Sequence, residues 1–433
     1  MASTSEVYED YIQEHQTWNF VVNSLDLTFY NLAVSFIFGA TVLSLYASYL
    51  TASAVLIGLL PAIQSVGYFL PQLLTARRAG WLARKKPLVQ KISVFERLPY
   101  LVVALSILLW PKAPSWFSYS LLALCLAVAT GSGGLASPAW KSMLAKVIPV
   151  ERRGRLFGLS RALGGLLGVG GAAYARHVLD AYPYPTSFGI CFLLCFCFQA
   201  LSWLCLSLNR EPAREPTKPE ESATSYWRRL PGVLGDNPNY ARFLVGRSLV
   251  IMSTMATTFY VIYGRAAYDI TDAFTANLTM AALISQTVSN PLLGWLADHR
   301  GNIWVMEVST LAGGMGLLMA LFSSSATWLY GVFMLANAAT TGMALAGMSI
   351  TMEFGDAEEM PIFSALANTI TAIPILLAPI LGGWIVDVAG FWTLFIAGLS
   401  FAVAGCAVMH WCVREPREVE CEDPKDARSC VYT

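Results

Sequence analysis

Charge is scarce in this chain: Asp, Glu, Lys and Arg make up 13% of its 433 residues, where soluble domains carry roughly 25%. Histidine numbers only four, and no His/Glu cluster or nucleophile arrangement points to an enzyme. A Gly-x-x-x-x-Gly-Lys-[Ser/Thr] loop is absent from the sequence, so the chain is not expected to hydrolyse ATP itself. The first eighteen residues are acidic and polar, without a basic stretch leading into a short apolar one. That predicts no cleavable signal peptide and leaves the first long apolar run as the insertion signal. Nine cysteines occur, at 125, 191, 195, 197, 205, 406, 412, 421 and 430, seven of them inside apolar runs. Cys191 and Cys195 share a helical face, but neither a zinc spacing nor an extracellular pair is evident, so they read as small buried apolar residues. Neither a metal nor a cofactor is expected. The formal net charge of zero says nothing about partners, and no nucleic-acid partner is expected.

What the chain does have is length of apolar run. It is 56% hydrophobic, with a mean hydropathy of +0.54. Stretches of about twenty residues pass without a charge, enough to cross roughly 30 Å of hydrocarbon. A soluble fold would need a dozen overlong core helices to absorb them. Spans are predicted near 20–46, 52–75, 89–110, 116–140, 155–178 and 185–208, and again near 241–265, 273–296, 303–324, 327–350, 361–387 and 391–413. Between the sets lies the polar stretch 209–240, with Glu-Pro-Ala-Arg-Glu-Pro-Thr-Lys-Pro-Glu-Glu-Ser, which reads as a solvated linker. The organisation is therefore a segment 1–18, a six-helix bundle 19–208, the linker 209–240, a second six-helix bundle 241–413 and a tail 414–433. The fold class is an all-α membrane protein of twelve transmembrane helices in two pseudo-symmetric bundles.

Basic residues in short loops set the orientation. The loops after spans 2 and 4 and the central linker hold fifteen, including Arg77, Arg78, Lys141, Arg153 and Arg228, against Lys112, Arg176 and Arg265 on the opposite side. Both termini are thus expected in the cytoplasm, with the protein multi-pass in the cell membrane. Duplication is visible as well. Lys91-Ile-Ser-Val-Phe-Glu96 and Asn302-Ile-Trp-Val-Met-Glu307 repeat Ile, Val and Glu at an offset of 211 residues. Gln64 with Pro71-Gln-Leu-Leu in span 2 is matched by Gln286 with Pro291-Leu-Leu in span 8. Internal repeats with a site near the bilayer midplane typify secondary transporters.

Between spans 8 and 9 the sequence reads Gly294-Trp-Leu-Ala-Asp298-His-Arg-Gly301-Asn. This resembles the Gly-x-Leu-Ala-Asp-Arg-x-Gly-Arg loop of the major facilitator superfamily, with His299 and Asn302 in place of its usual basic residues. Ala378-Pro-Ile-Leu-Gly382-Gly383-Trp-Ile-Val-Asp387 followed by Gly390-Phe391 looks like that superfamily's eleventh helix entering its twelfth. With the 6+6 layout the resemblance covers residues 19 to 413. Departures are informative: the loop Pro71 to Pro87 lacks the signature Asp, and span 4 has Thr130-Gly-Ser-Gly-Gly where proton-coupled members often carry an Arg. Span 5 is Gly-rich at Gly168, Gly170 and Gly171 without the Gly-Pro pair of drug antiporters, which favours close helix contact there.

Ionisable groups in hydrocarbon cost several kcal/mol, roughly 3 for Asp on insertion scales, and so mark candidate function. Asn23, Asp26 and Tyr30 fall on one face of span 1. Two roles are open for Asp26: binding substrate or a coupling proton, or a structural ion pair with Arg161 of span 5. Glu96 and Arg97, and their counterpart Glu307, sit about one turn into their spans and read as loop-anchoring pairs in preference to proton carriers. Arg247 is expected to pair with Glu307 or to face a cavity. Gln64, Tyr260, Gln286, Asn290, Asn337 and Asn368, with Thr254, Thr340 and Thr371, complete a candidate substrate or proton path of modest polarity.

Together these features imply a secondary active transporter, symporter or antiporter, moving a small organic solute by alternating access on a proton or solute gradient. The alternative is a transport-inactive receptor or scaffold of the same fold; drug efflux and nutrient uptake both stay open. The expected partners are that solute, protons and the lipid bilayer, and the expected state is a monomer. The resemblance also implies an interdomain clasp. In that architecture Arg77 and Arg78 face Glu358 and Glu359 at the start of span 11. By pseudo-symmetry Asp298, in the loop shaped by Gly294 and Gly301, reaches Arg153 and Arg155 at the positive entry of span 5. The competing reading is solvated charge that only enforces topology, since exposed pairs are often worth under about 1 kcal/mol.

Overall fold

A computed structural model describes residues 4–213, 234–235, 237–350, 353–354 and 360–415. Every regular element among them is helical. In chain order these are α1 (Thr4–Ser35), a π-turn (Gly39–Leu43), α2 (Ser44–Leu50), α3 (Ala54–Trp81), α4 (Lys86–Leu109), α5 (Ser115–Val147), α6 (Val150–Ala181) and α7 (Thr186–Ser207). After the linker come α8 (Pro238–Ser253), a 3-10 stretch (Thr254–Phe259), α9 (Tyr260–Tyr268), α10 (Asp272–Arg300), α11 (Asn302–Leu321), α12 (Trp328–Ser349) and α13 (Met360–Cys412). Ten described stretches are long and apolar enough to span a membrane. The last of them is two helices, broken at Gly390, whose φ of 81° only glycine adopts freely. The 29-residue α10, more polar at Asn277, Gln286 and Asn290, makes the twelfth. The expected first and seventh spans each prove to be a helix interrupted by a π or 3-10 segment.

The chain divides into two compact units: Met1–Lys218 with Asp269–Leu283, and Pro219–Tyr268 with Ile284–Thr433. The boundary differs from a plain cut at the linker, because the first half of α10 belongs to the first unit. Thr279 meets Thr41 there, with hydroxyls 2.6 Å apart, and the Tyr49 hydroxyl donates to both oxygens of Asp272, at 2.8 and 3.0 Å.

Within the first unit α1 packs on α6 and α7, α4 on α5 and α7, and α3 on α5. Small residues allow the approach: a Cβ on Gly171 would meet Ser35 and Leu32 of α1, whereas Gly170 has nothing within 4 Å. Phe188, Phe192, Cys191 and Cys195 of α7 are fully buried. The seven described cysteines are free; Cys125, Cys191, Cys195 and Cys205 are buried, and Cys197 and Cys412 are exposed. In the second unit α8 and α11 pack on α13, and α11 on α12. Its largely aliphatic core holds an aromatic group: Tyr240, Phe243 and Phe363 are buried, the Tyr240 and Phe363 rings meet edge to face at 4.7 Å, and the Tyr240 hydroxyl donates to the Phe363 carbonyl at 2.5 Å. Such pairs add about 0.5–1.5 kcal/mol beyond the area they bury.

Two carboxylates brace the bundles at the ends that carry linker and tail. The first N–H groups of a helix have no intrahelical acceptor, and neither α4 nor α11 has a capping side chain of its own. Glu211 serves α4: its carboxylate accepts from the Lys85 amide at 2.9 and 3.0 Å, from the Lys86 amide at 2.7 Å and from Lys146 Nζ at 3.1 Å. Glu415 serves α11, accepting from the Ile303 amide at 3.0 Å and the Asn302 amide at 3.4 Å. Both glutamates sit in the same tripeptide, Arg210-Glu211-Pro212 and Arg414-Glu415-Pro416, one at the end of each half. A Cβ on Gly301, whose φ is +87°, would lie 2.5 Å from the Glu415 carboxylate. Glycine is therefore required there twice over, by conformation and by the brace.

Candidate functional site

Asp26 is carried by α1 and is 5% exposed. Its Oδ1 accepts from the Ser202 hydroxyl of α7 at 2.6 Å, and Ser202 in turn accepts from Arg97 Nη2 of α4 at 3.2 Å. Arg97 is held on every side. Its Nε donates to the Gln199 carbonyl at 2.8 Å, and its Nη1 to the Ser93 carbonyl at 3.0 Å and to Glu96 Oε2 at 3.2 Å. Tyr30 hydrogen-bonds to Glu96. Opposite, α5 is at its thinnest: a Cβ on Gly133 would come 3.1 Å from Glu96 Oε1. Asp26, Glu96 and Arg97 line one cavity of about 180 Å³ inside the first unit, together with Tyr30, Tyr68, Ser93, Ser137 and Trp140.

Two carboxylates and one guanidinium leave this cluster one negative charge in excess when all are ionised. Burying a net charge in hydrocarbon is expensive, and neutralisation is the usual outcome. The arrangement is suited to taking up one proton or one cation.

The depth of Glu96 and Arg97 differs from the sequence expectation. Because α4 begins at Lys86 rather than near 89, these residues lie ten and eleven positions in, about 15 Å along the axis. They are cavity groups, and the loop-anchor reading is withdrawn. The guanidinium on this cavity comes from Arg97 of α4, and the Gly133 backbone of α5 leaves room for its carboxylate partner Glu96. Ser202, which shares its span with Ser187, Gln199 and Ser207, had no signal in the sequence that set it apart.

The other expected residues scatter. Asn23 does not line the cavity; its amide donates to the Asn19 carbonyl at 2.7 Å and to Asn209 Oδ1 at 2.5 Å, stitching α1 to the segment that follows α7. Arg161 is exposed on α6, while Asp26 has Ser202 and Arg97 as neighbours, so the Asp26–Arg161 pair is not formed. Gln64 is half-buried, close to Gly39. In the second unit Tyr260 is buried against Phe333 and Phe395, and Asn337 donates to the Phe333 carbonyl at 2.9 Å. Asn290 donates to the Gln286 carbonyl at 2.8 Å, and Gln286 and Asn368 are exposed. Arg247 donates to the Gly347 carbonyl at 3.0 Å and does not pair with Glu307, which has His410 Nδ1 at 3.3 Å instead. Of the clasp residues, Arg153 turns back on its own unit, donating to the carbonyls of Ile148 at 3.1 Å and Ala145 at 2.5 Å. Arg155 and Asp298 are exposed and Gly294 is half-buried. The side chains of Arg77 and Arg78, and all of Glu358 and Glu359, lie outside the described residues.

The family model described as Major Facilitator Superfamily matches residues 26–268 and 243–429. No curated protein sequence matches the chain. Among solved structures, a point variant of the nucleoside transporter NupG is similar with a TM-score of 0.71 and 12% identity, over 90% of this chain and 99% of that one. A D-xylose-proton symporter gives a TM-score of 0.68 and 14% identity, over 92% and 98%. A bacterial homologue of the human lysosomal transporter Spinster, inward-facing and unoccupied, gives 0.59 and 15%, over 94% and 97%. At these identities the likeness is one of fold.

Proposed function

The chain belongs to the major facilitator superfamily, and from that premise we propose that it is a secondary active transporter of a small solute, coupled to protons through Asp26. The observation that carries the reading is the Asp26–Ser202–Arg97–Glu96 network around a 180 Å³ cavity. Its excess negative charge gives a reason for a proton to bind, and the Ser202 hydroxyl gives the proton state of Asp26 a route to Arg97. Alternating access is the mode of action, with protonation of Asp26 altering the charge that the first bundle carries through the membrane. The solved structures of similar fold include a proton symporter by name, which agrees with proton coupling without fixing the solute. Reconstitution into proteoliposomes holding a pH-sensitive dye tests the reading. Addition of a transported solute should move protons across the membrane, and a solute flux that is indifferent to an imposed pH gradient would remove the coupling from the account.

A further inference from the structure

We infer that the cavity of the first bundle is a binding site for a compact organic cation, an amine or quaternary ammonium, which exchanges there with the coupling proton. This rests on the reading of the protein as a proton-coupled transporter and names the class of its guest. Three observations carry it. The first is the cluster's excess negative charge when ionised. The second is that Arg97 is committed: Gln199, Ser93, Glu96 and Ser202 take donors from all three of its nitrogens. A guanidinium so engaged balances charge but has little left to offer an anion. The third is the rest of the wall, where Tyr30, Tyr68 and Trp140 stand beside Asp26 and Glu96. Aromatic faces attract a desolvated cation by roughly 0.5–2 kcal/mol each, and a carboxylate supplies the counter-charge.

Size narrows the class further. A volume of about 180 Å³ is below the roughly 300 Å³ at which sites for drug-sized ligands begin. Exchange with a proton follows from the charge, because one positive guest of either kind neutralises the site. The titratable groups facing Asp26 are Tyr30 from its own helix, Tyr68 from α3, and Glu96, Arg97 and Tyr100 from α4. Cys205 faces it from α7, and α5 and α6 place no titratable side chain on the lining. Competition for one proton is therefore shared between Asp26 and Glu96.

Tetramethylammonium is the probe, with tert-butyl alcohol as a neutral control of like shape and acetate as an anion. Full-length protein in detergent is titrated by calorimetry, and flux is measured separately in proteoliposomes. Tetramethylammonium should bind wild type, and its Kd should rise at least about tenfold in Asp26→Asn, the equivalent of about 1.4 kcal/mol. In Trp140→Leu it should rise about twofold to thirtyfold, the range of one cation–π contact. Lower pH should weaken binding and make it release a proton. Equal binding of the alcohol, or an unchanged Kd in both variants, overturns the inference; the Trp140 arm decides if Asp26→Asn does not fold. Transport of another solute without tetramethylammonium binding overturns the cation site alone. Binding without any flux supports the site and overturns the transport reading.

Discussion

Glu211 offers a quantitative test of how the bundles are held, because the chain contains its own control. The Glu211 side chain is 1% exposed and pairs with Lys146 at 3.1 Å, while also accepting from two backbone amides at the start of α4. Hydrogen bonds to a charged group are worth about 1.5–3 kcal/mol each, and removing one partner of a buried pair costs about 3–5 kcal/mol. Glu211→Ala deletes the pair and uncaps α4 together, and water recovers part of the loss, so about 3–5 kcal/mol is expected. For a six-helix unit, with the scale of globular domains of similar length, that lowers the melting temperature by about 6–20 °C. Glu415 is only partly buried and accepts from two backbone amides at 3.0 and 3.4 Å, so at about 1.5–3 kcal/mol for the shorter charged bond Glu415→Ala should cost less than Glu211→Ala. Thermal unfolding of the detergent-solubilised protein, followed by tryptophan fluorescence, compares the two. A Glu211→Ala protein that melts within about 2 °C of wild type, or a Glu415→Ala protein that loses as much as Glu211→Ala, refutes the reasoning.

Gly301→Ala forces a Cβ at a φ of +87° and against Glu415. It should cost about 1–3 kcal/mol in the same unfolding assay, and a neutral substitution would mean that the turn is not held as described. Gly133→Ala places a Cβ 3.1 Å from Glu96 and should slow gradient-driven flux while leaving the melting temperature nearly unchanged; unchanged flux would place Glu96 outside the coupling path. Ser222→Cys in the linker should react with impermeant maleimide from the cytoplasmic side alone, and labelling from outside intact cells would invert the topology.

The twelve-helix layout was legible in the sequence because all the spans but the more polar α10 are long apolar runs, a signal that hydrocarbon imposes on composition. Boundaries were less so. The start of α4 at Lys86 carries a local mark, Pro87 in its first turn, but the carboxylate that accepts its first amides, Glu211, lies 125 residues away and has no local signature. That shift of one turn turned Glu96 and Arg97 from loop anchors into cavity groups. Asp26 could be singled out because a carboxylate in a span is rare, but its partners could not. Ser202 is one hydroxyl among many, and α1 packs on α6, which carries Arg161, as well as on α7, so the choice of Arg97 over Arg161 depends on the face each helix presents and on the Ser202 link. Asn23 shared a face with Asp26, yet three residues of helix were enough to carry it out of the cavity to Asn209. The Arg-Glu-Pro repeat was visible in the letters and acquired a meaning only once each glutamate was seen against a helix start.

The most direct test of Asp26 as the coupling group separates gradient-driven uptake from exchange in the same proteoliposomes. Asp26→Asn keeps the shape and the acceptor for Ser202 while removing the titratable charge. Uptake driven by a pH gradient should fall to the level of empty vesicles, while exchange of labelled for unlabelled solute across the membrane persists. Gradient-driven uptake that survives in Asp26→Asn, at a rate near that of wild type, contradicts the account and moves the coupling site elsewhere in the chain.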